Sequence, residues 1–243
     1  MRGKVHIGTS GWHYKHWLGD FYPHDLPTKQ MLGYYARRFD TVEVNNTFYQ
    51  LPAPQTFDSW REHSPARFLF AVKGSRFITH MKKLKDPESS TIRFFSGAER
   101  LGKKLGPILF QLPPRWQVNV ERLANFLAAL PPPHRYVIEF REDSWMVEEV
   151  FAVLRHYNVA FCIHDLSAQQ TPLEITADFT YLRFHGPGIA KYVGSYSSAS
   201  LRKWADQISH WQQRLKAVYV YFNNDIGGAA VRNAAELKTM LAQ

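Results

Sequence analysis

Glu43 and Asn45, Glu139 and Arg141, and Arg183 and His185 form three pairs, each two residues apart in an otherwise apolar run. On a β-strand that spacing puts both side chains of a pair on one face. Lys73, Gln111 and Asn223 close three further apolar runs. The chemistry open to such a set is acid–base work around an anion. A guanidinium can grip a phosphate or carboxylate through two parallel hydrogen bonds. A carboxylate can take a proton, and an imidazole with an ordinary pKa of about 6.5 can return it. On this reading Glu43, Glu139 and His185 are the catalytic candidates. Asn45, Lys73, Gln111, Arg141, Arg183 and Asn223 bind the substrate.

The elements that must position these residues alternate along the chain. Strands are expected over 5–9, 41–45, 68–73, 107–112, 136–140, 159–164, 180–185 and 218–223. Helical stripes fall between them, for example Leu32, Tyr35, Ala36 and Phe39, or Leu201, Trp204, Ala205, Ile208 and Trp211. Thr91 is placed to cap a helix over 91–104 and Asn119 to cap the next. Val147, Val150, Phe151 and Leu154 stripe the helix after the fifth strand. Eight strands, each followed by a crossover, imply parallel pairing and a single (β/α)₈ barrel of the TIM type over residues 1–243. The segment from Leu166 to Asp178 contains Pro172 and no helical stripe, so the sixth helix is short or missing. An open, doubly wound sheet explains the count less well, and no glycine-rich phosphate fingerprint follows the first strand.

Parallel strands buried on both faces should read as unbroken apolar runs. The polar residues interrupt them near their C-terminal ends, where barrels of this kind place their catalytic groups. Charges buried there must meet one another, water or a ligand. Glu43, Glu139 and Asp165 balance Lys73, Arg141 and Arg183, so Glu43–Arg183 and Glu139–Arg141 pairs could also be purely structural.

Composition narrows the class of protein. The chain holds 30 Lys plus Arg against 21 Asp plus Glu, a net charge of +9. Such a balance favours anionic ligands and makes nucleic acid a possible partner. Cys162 is the lone cysteine, which excludes an internal disulfide or a thiolate cluster. The N-terminal run does not read as a signal peptide, so no leader is expected, and no apolar stretch is long enough for a membrane helix. A cytoplasmic protein with no membrane association is expected. Two connecting segments are rich in aromatics: 10–27, with Trp12, Trp17 and Tyr22, and 186–199, with Tyr192, Tyr196 and several glycines. They suit a stacking wall and a movable lid, or a hydrophobic cap.

The same residues carry a family resemblance that spans nearly the whole chain. Gly8-Thr-Ser-Gly-Trp12, Thr41-Val-Glu-Val-Asn-Asn-Thr-Phe-Tyr49, Phe70-Ala-Val-Lys73 and Leu109-Phe-Gln-Leu-Pro-Pro114 carry its first half. Glu139-Phe-Arg141 with Ser144-Trp145, Arg183-Phe-His-Gly186 and Tyr219-Val-Tyr-Phe-Asn-Asn-Asp225 carry the second. The sequence resembles the YecE-like family, domain of unknown function 72. That resemblance implies a TIM-type barrel and brings no settled activity. It adds Thr79, His80 and Asp165 to the polar set, keeps Trp12 among the substrate-binding candidates, and leaves His164 as a structural residue.

Three functions fit these residues. The first is an enzyme acting on a small phosphate- or carboxylate-bearing substrate by acid–base chemistry. The second is a metal-dependent phosphoesterase or nuclease-like enzyme using Glu139, Asp165, His185 and Asp225, against which stand the intervening arginines and the lack of a metal-ligand spacing. The third is a non-catalytic module for a nucleotide or RNA. The first is preferred, with no metal ligand assigned and the cofactor and oligomeric state left unassigned. A glycosidase ranks below these because the basic neighbours favour ionised carboxylates.

Overall fold

The computed structural model describes residues 2–166 and 169–242. Its strands are β1 (Lys4–Thr9), β2 (Thr41–Val44), β3 (Leu69–Lys73), β4 (Leu105–Gln111), β5 (Tyr136–Glu139), β6 (Ala160–Leu166), β7 (Gln169–Gln170), β8 (Phe179–Phe184) and β9 (Ala217–Phe222). The hydrogen-bonded order is β1-β9-β8-β6-β5-β4-β3-β2, with β7 on β6. A parallel bridge from Ser10 to Glu43 joins the end of β1 to β2. Leaving out β7, eight strands remain in the order of a (β/α)₈ barrel. Its helices are α1 (Met31–Tyr35), α2 (Asn46–Tyr49), α3 (Pro54–Glu62), α4 (Pro87–Ala98), α5 (Val120–Ala128), α6 (Glu148–His156), α7 (Ser198–Gln212) and α8 (Ala229–Leu241).

Contacts divide the chain into two compact units. The first comprises Met1–Glu43, Ile163–Leu173 and Asp178–Gln243, the second Val44–Cys162 and Glu174–Ala177. In the first unit β1 and β8 both run parallel to β9, with Gly8 opposite Tyr221 and Arg183 opposite the same residue. β9 is buried along its whole length, as expected of a strand covered on both faces. Helices α7 and α8 bring Leu201, Ile208, Ala230, Ala234 and Leu237 to the core. Ser197 caps α7 by accepting from the Ser200 amide at 3.2 Å. In the second unit β4 lies parallel to β3 and β5, and β5 to β6. Asn119 caps α5, its Oδ1 accepting from the Arg122 amide at 2.8 Å. Leu123, Phe126 and Leu127 of that helix are buried, Phe126 edge-on to Phe110 of β4 at 5.0 Å.

Three local expectations are revised. Helix α4 begins at Pro87, whose missing N–H costs nothing in a first turn. Thr91 is therefore an interior residue, its hydroxyl donating to the Pro87 carbonyl at 2.7 Å rather than capping. The second strand stops at Val44, and Asn45 turns into the helical region to start the short α2, which strand periodicity could not signal. Val147 precedes α6 as an exposed cap residue and does not join its buried stripe. Residues 167 and 168 of the weakly patterned connection lie outside the described residues. In the rest of it, β7 turns back antiparallel on β6, Asp165 opposite Gln170, and no helix forms among the described residues.

Candidate active site

In the first unit, β2 delivers Glu43 and β8 delivers Arg183 to one fully buried ion pair. The Arg183 Nε donates to Glu43 Oε2 at 2.9 Å and a terminal nitrogen to Oε1 at 2.8 Å. Ser10 Oγ and the Tyr181 hydroxyl each donate to the same carboxylate at 2.6 Å. Tyr181 stands two residues before Arg183, so both project from one face of β8. Burial alone would push the Glu43 pKa up. The Arg183 charge and these donors outweigh it and hold the carboxyl below its usual range. Glu43 is thus an ionised, four-fold hydrogen-bonded group.

A second carboxylate of the same unit stands in the opposite condition. Asp165, at the end of β6, accepts from the His185 amide at 2.8 Å and from the Tyr196 hydroxyl. Burial raises its pKa to about 6, despite the two donors. His185 lies just past β8, and its Nδ1 meets Asn223 Nδ2 at 3.0 Å, just past β9. An amide Nδ2 can only donate, so in this contact the His185 Nδ1 accepts. The His164 ring stands edge-on to His185 at 6.0 Å.

Tyr196 reaches Asp165 from the connection between β8 and α7. Its amide donates to Asn233 Oδ1 at 3.1 Å, and its hydroxyl accepts from the Gly186 amide at 2.9 Å. Asn224 Nδ2 holds the same connection through the Gly194 carbonyl at 2.8 Å. Gly186 and Gly194, at φ of 109° and 91°, supply backbone that other residues rarely adopt. The tip stays outward, with Ile189 83% and Tyr192 40% exposed.

The first connection is an aromatic cap more than a wall. Trp17 and Tyr22 are buried, and Trp17 packs on the half-buried Phe21 of the same connection and on Tyr35 of α1. Asp225 holds Trp17 by accepting from its Nε1 at 2.7 Å and pairs with His16 at 2.8 Å. Burial raises the Asp225 pKa against the pull of His16. Trp12 is half-buried, and its carbonyl accepts from the Tyr22 hydroxyl at 2.5 Å.

In the second unit, Lys73 at the end of β3 donates to Gln111 Oε1 at the end of β4, at 2.7 Å, and its ammonium sits 4.3 Å from the Phe48 ring centre. Arg141 pairs with the fully buried Glu139. His80 lies half-buried beside Phe48, and burial together with the Lys73 and Arg76 charges lowers its pKa. Thr79 Oγ1 meets His80 Nδ1 at 2.9 Å. The Asn45 Oδ1 is buried with no hydrogen-bond partner. Among the described residues no three His, Cys, Asp or Glu side chains gather as a metal-binding set. No helix among them is long and apolar enough to cross a membrane.

The sequence-derived residues thus fall into defined groups: Glu43 with Arg183; Asp165 with His185 and Asn223; Lys73 with Gln111; and Glu139 with Arg141. Sequence reasoning missed Ser10, Tyr181 and Asn233, and it placed Tyr196 only as an aromatic of the second connection. Tyr181 shares the parity of Arg183, which is a usable signal. Nothing local marks Asn233 or the partners of Tyr196, which are met through tertiary contacts.

Strand order and strand-end polar groups define a TIM-type barrel protein, and the comparisons place it further. The family model "Protein of unknown function DUF72" matches residues 6–243. The chain belongs to the DUF72 family. It is 24% identical over 276 residues to UPF0759 protein YunF of Bacillus subtilis, covering 98% of this chain and 94% of that one. UPF0759 protein YecE of Escherichia coli K12 is 29% identical over 147 residues, 59% of this chain and 51% of its own. A solved DUF72 protein from Thermotoga maritima matches 99% of the chain and 100% of its own at 31% identity and a TM-score of 0.88.

Proposed function

We propose that the chain is a cytoplasmic enzyme performing acid–base chemistry on a small substrate that carries a phosphate or carboxylate. The observation that carries this reading is the pair of carboxylates in the first unit, pushed in opposite directions by their surroundings. Glu43 is held ionised by Arg183. Asp165, raised to about 6, exchanges its proton close to neutral pH. Opposed environments of this kind separate a fixed charge from a proton carrier, and a proton carrier works best with a pKa near the working pH. Asp165 and His185 are then the proton-handling groups. The Glu43–Arg183 pair is the rigid support of β2 and β8 rather than the base. The +9 net charge favours an anionic ligand.

Differential scanning fluorimetry tests the reading with inorganic phosphate, sugar phosphates and 2-oxo acids at millimolar concentration. A class that raises the melting temperature of the parent should raise it by less than half as much in His185→Gln, with the shift depending on pH around 6. The proposal fails if no anion class gives a shift, or if His185→Gln responds as the parent does.

A further inference from the structure

We propose that the second unit carries a binding surface for single-stranded nucleic acid, formed by the turn after β3 together with the end of α2. From Arg76 to Lys85 the chain contains Arg76, Lys82, Lys83 and Lys85 and no acid, and Asp86, which follows, pairs with Lys82 at 3.0 Å. Phe77–Met81 wind into a π-type turn that buries Ile78 and Thr79. Phe77 and Met81 are turned outward, 41% and 68% exposed, and Tyr49 is 73% exposed. Phe48 ties these parts together. The Tyr49 and His80 rings each lie edge-on to it at 5.0 Å. The turn is fixed in place: Leu84 is buried, and its amide donates to the Ile78 carbonyl at 3.0 Å. Arg76, Lys83 and Lys85 are exposed around it, and the Lys82 ammonium stands 5.9 Å from the Phe77 ring centre.

Core packing leaves Tyr49, Phe77 and Met81 exposed, and large apolar side chains left in water around a fixed turn mark a binding surface. The occupant follows from chemistry. Flat rings flanked by exposed cations match unpaired bases strung on phosphates, since every base has a face to stack and every linkage a charge. A membrane surface calls for a broad apolar face, which three side chains do not make. This surface is independent of the Asp165–His185 reading, and either can fail without the other.

Fluorescence anisotropy of the full chain with labelled oligouridine RNA and oligothymidine DNA, each of about 20 nucleotides, tests it between about 50 and 200 mM salt. With three or four phosphates neutralised, log affinity should fall against log salt with a slope of about −2 to −3. Tyr49→Ala and Phe77→Ala should each weaken binding by about five-fold or more and leave that slope unchanged. The Lys83→Ala/Lys85→Ala double variant should flatten it by about 1.4. The RNA and DNA arms show which sugar is preferred, and tighter binding of either supports the proposal. Three results overturn it: no binding at the lower salt; binding insensitive to both aromatic variants, meaning unspecific attraction to a basic chain; or tighter binding to phosphatidylserine vesicles than to either oligonucleotide. Circular dichroism of each variant separates lost binding from lost folding.

Discussion

Arg183→Ala removes the cation that pairs with the buried Glu43 carboxylate. Glu43 would keep Ser10 and Tyr181 as donors but lose two contacts of 2.9 and 2.8 Å to a positive charge. Breaking a buried pair by deleting one member costs about 3–5 kcal/mol, because the surviving charge stays uncompensated. For a chain of this size each kcal/mol corresponds to about 2–4 °C, so the melting temperature should fall by about 6–20 °C at pH 7. Acid should relieve the defect. In the parent, the depressed Glu43 pKa gives stability that is present above the unfolded value of about 4.3 and lost as pH falls through the folded value. Without Arg183, burial dominates and raises that pKa, so the variant gains relative to the parent as pH falls toward about 4. Replacing both members, as Glu43→Leu with Arg183→Met, should restore most of the loss. Urea melts of the parent, both single variants and the double variant supply the cycle. A loss below about 1 kcal/mol for Arg183→Ala at pH 7, the size of an ordinary surface pair, would refute the argument.

Other perturbations test the rest of the structure. Asp165, with its pKa raised to about 6, favours folding below the unfolded value of about 3.9 and withdraws that support as pH rises through 6. Urea melts across pH 4–7 should therefore show a decline in the parent that Asp165→Asn removes; equal slopes would disprove the shift. Asn119→Ala should cost α5 about 1 kcal/mol through its lost cap, read as a few degrees of melting temperature. At Gly8 an added Cβ would come within 2.3 Å of the Thr41 carbonyl oxygen, which is backbone and cannot step aside. Gly8→Ala should lower stability by at least about 1–3 kcal/mol, and an unchanged melt would show that β1 can shift freely.

How much of this was legible in the sequence depended on the range of the interaction. Strand alternation and helical stripes are local, so the eight parallel strands could be read with ends correct to within a residue or two. Asn119 was recognisable as a cap because its partner lies three residues on. Thr91 misled because a hydroxyl inside a helix can bond back to the preceding turn as well as cap the next. Parity put Arg183 with His185 on one face, yet the two serve different partners: Arg183 lies within β8 and faces Glu43, while His185 is already past the strand end. The Glu43–Arg183 pair spans 140 positions, and charge balance alone points to it in the sequence. Tyr196 lay hidden in a glycine-rich connection because its role needs Asp165 and Asn233, both distant in sequence.

Cys162 lies in β6 with no solvent exposure, its sulfur 4.0 Å from a Glu139 oxygen. Since the chain has no other thiol, covalent labelling of the folded protein can occur only when this strand comes out of the sheet. A thiol reagent therefore acts as a stopwatch on that event. At low reagent the rate reports how often the open form is populated, and at saturating reagent it reports the opening step itself. One atom, read by mass, times the exposure of the barrel interior without any probe having to be engineered into it.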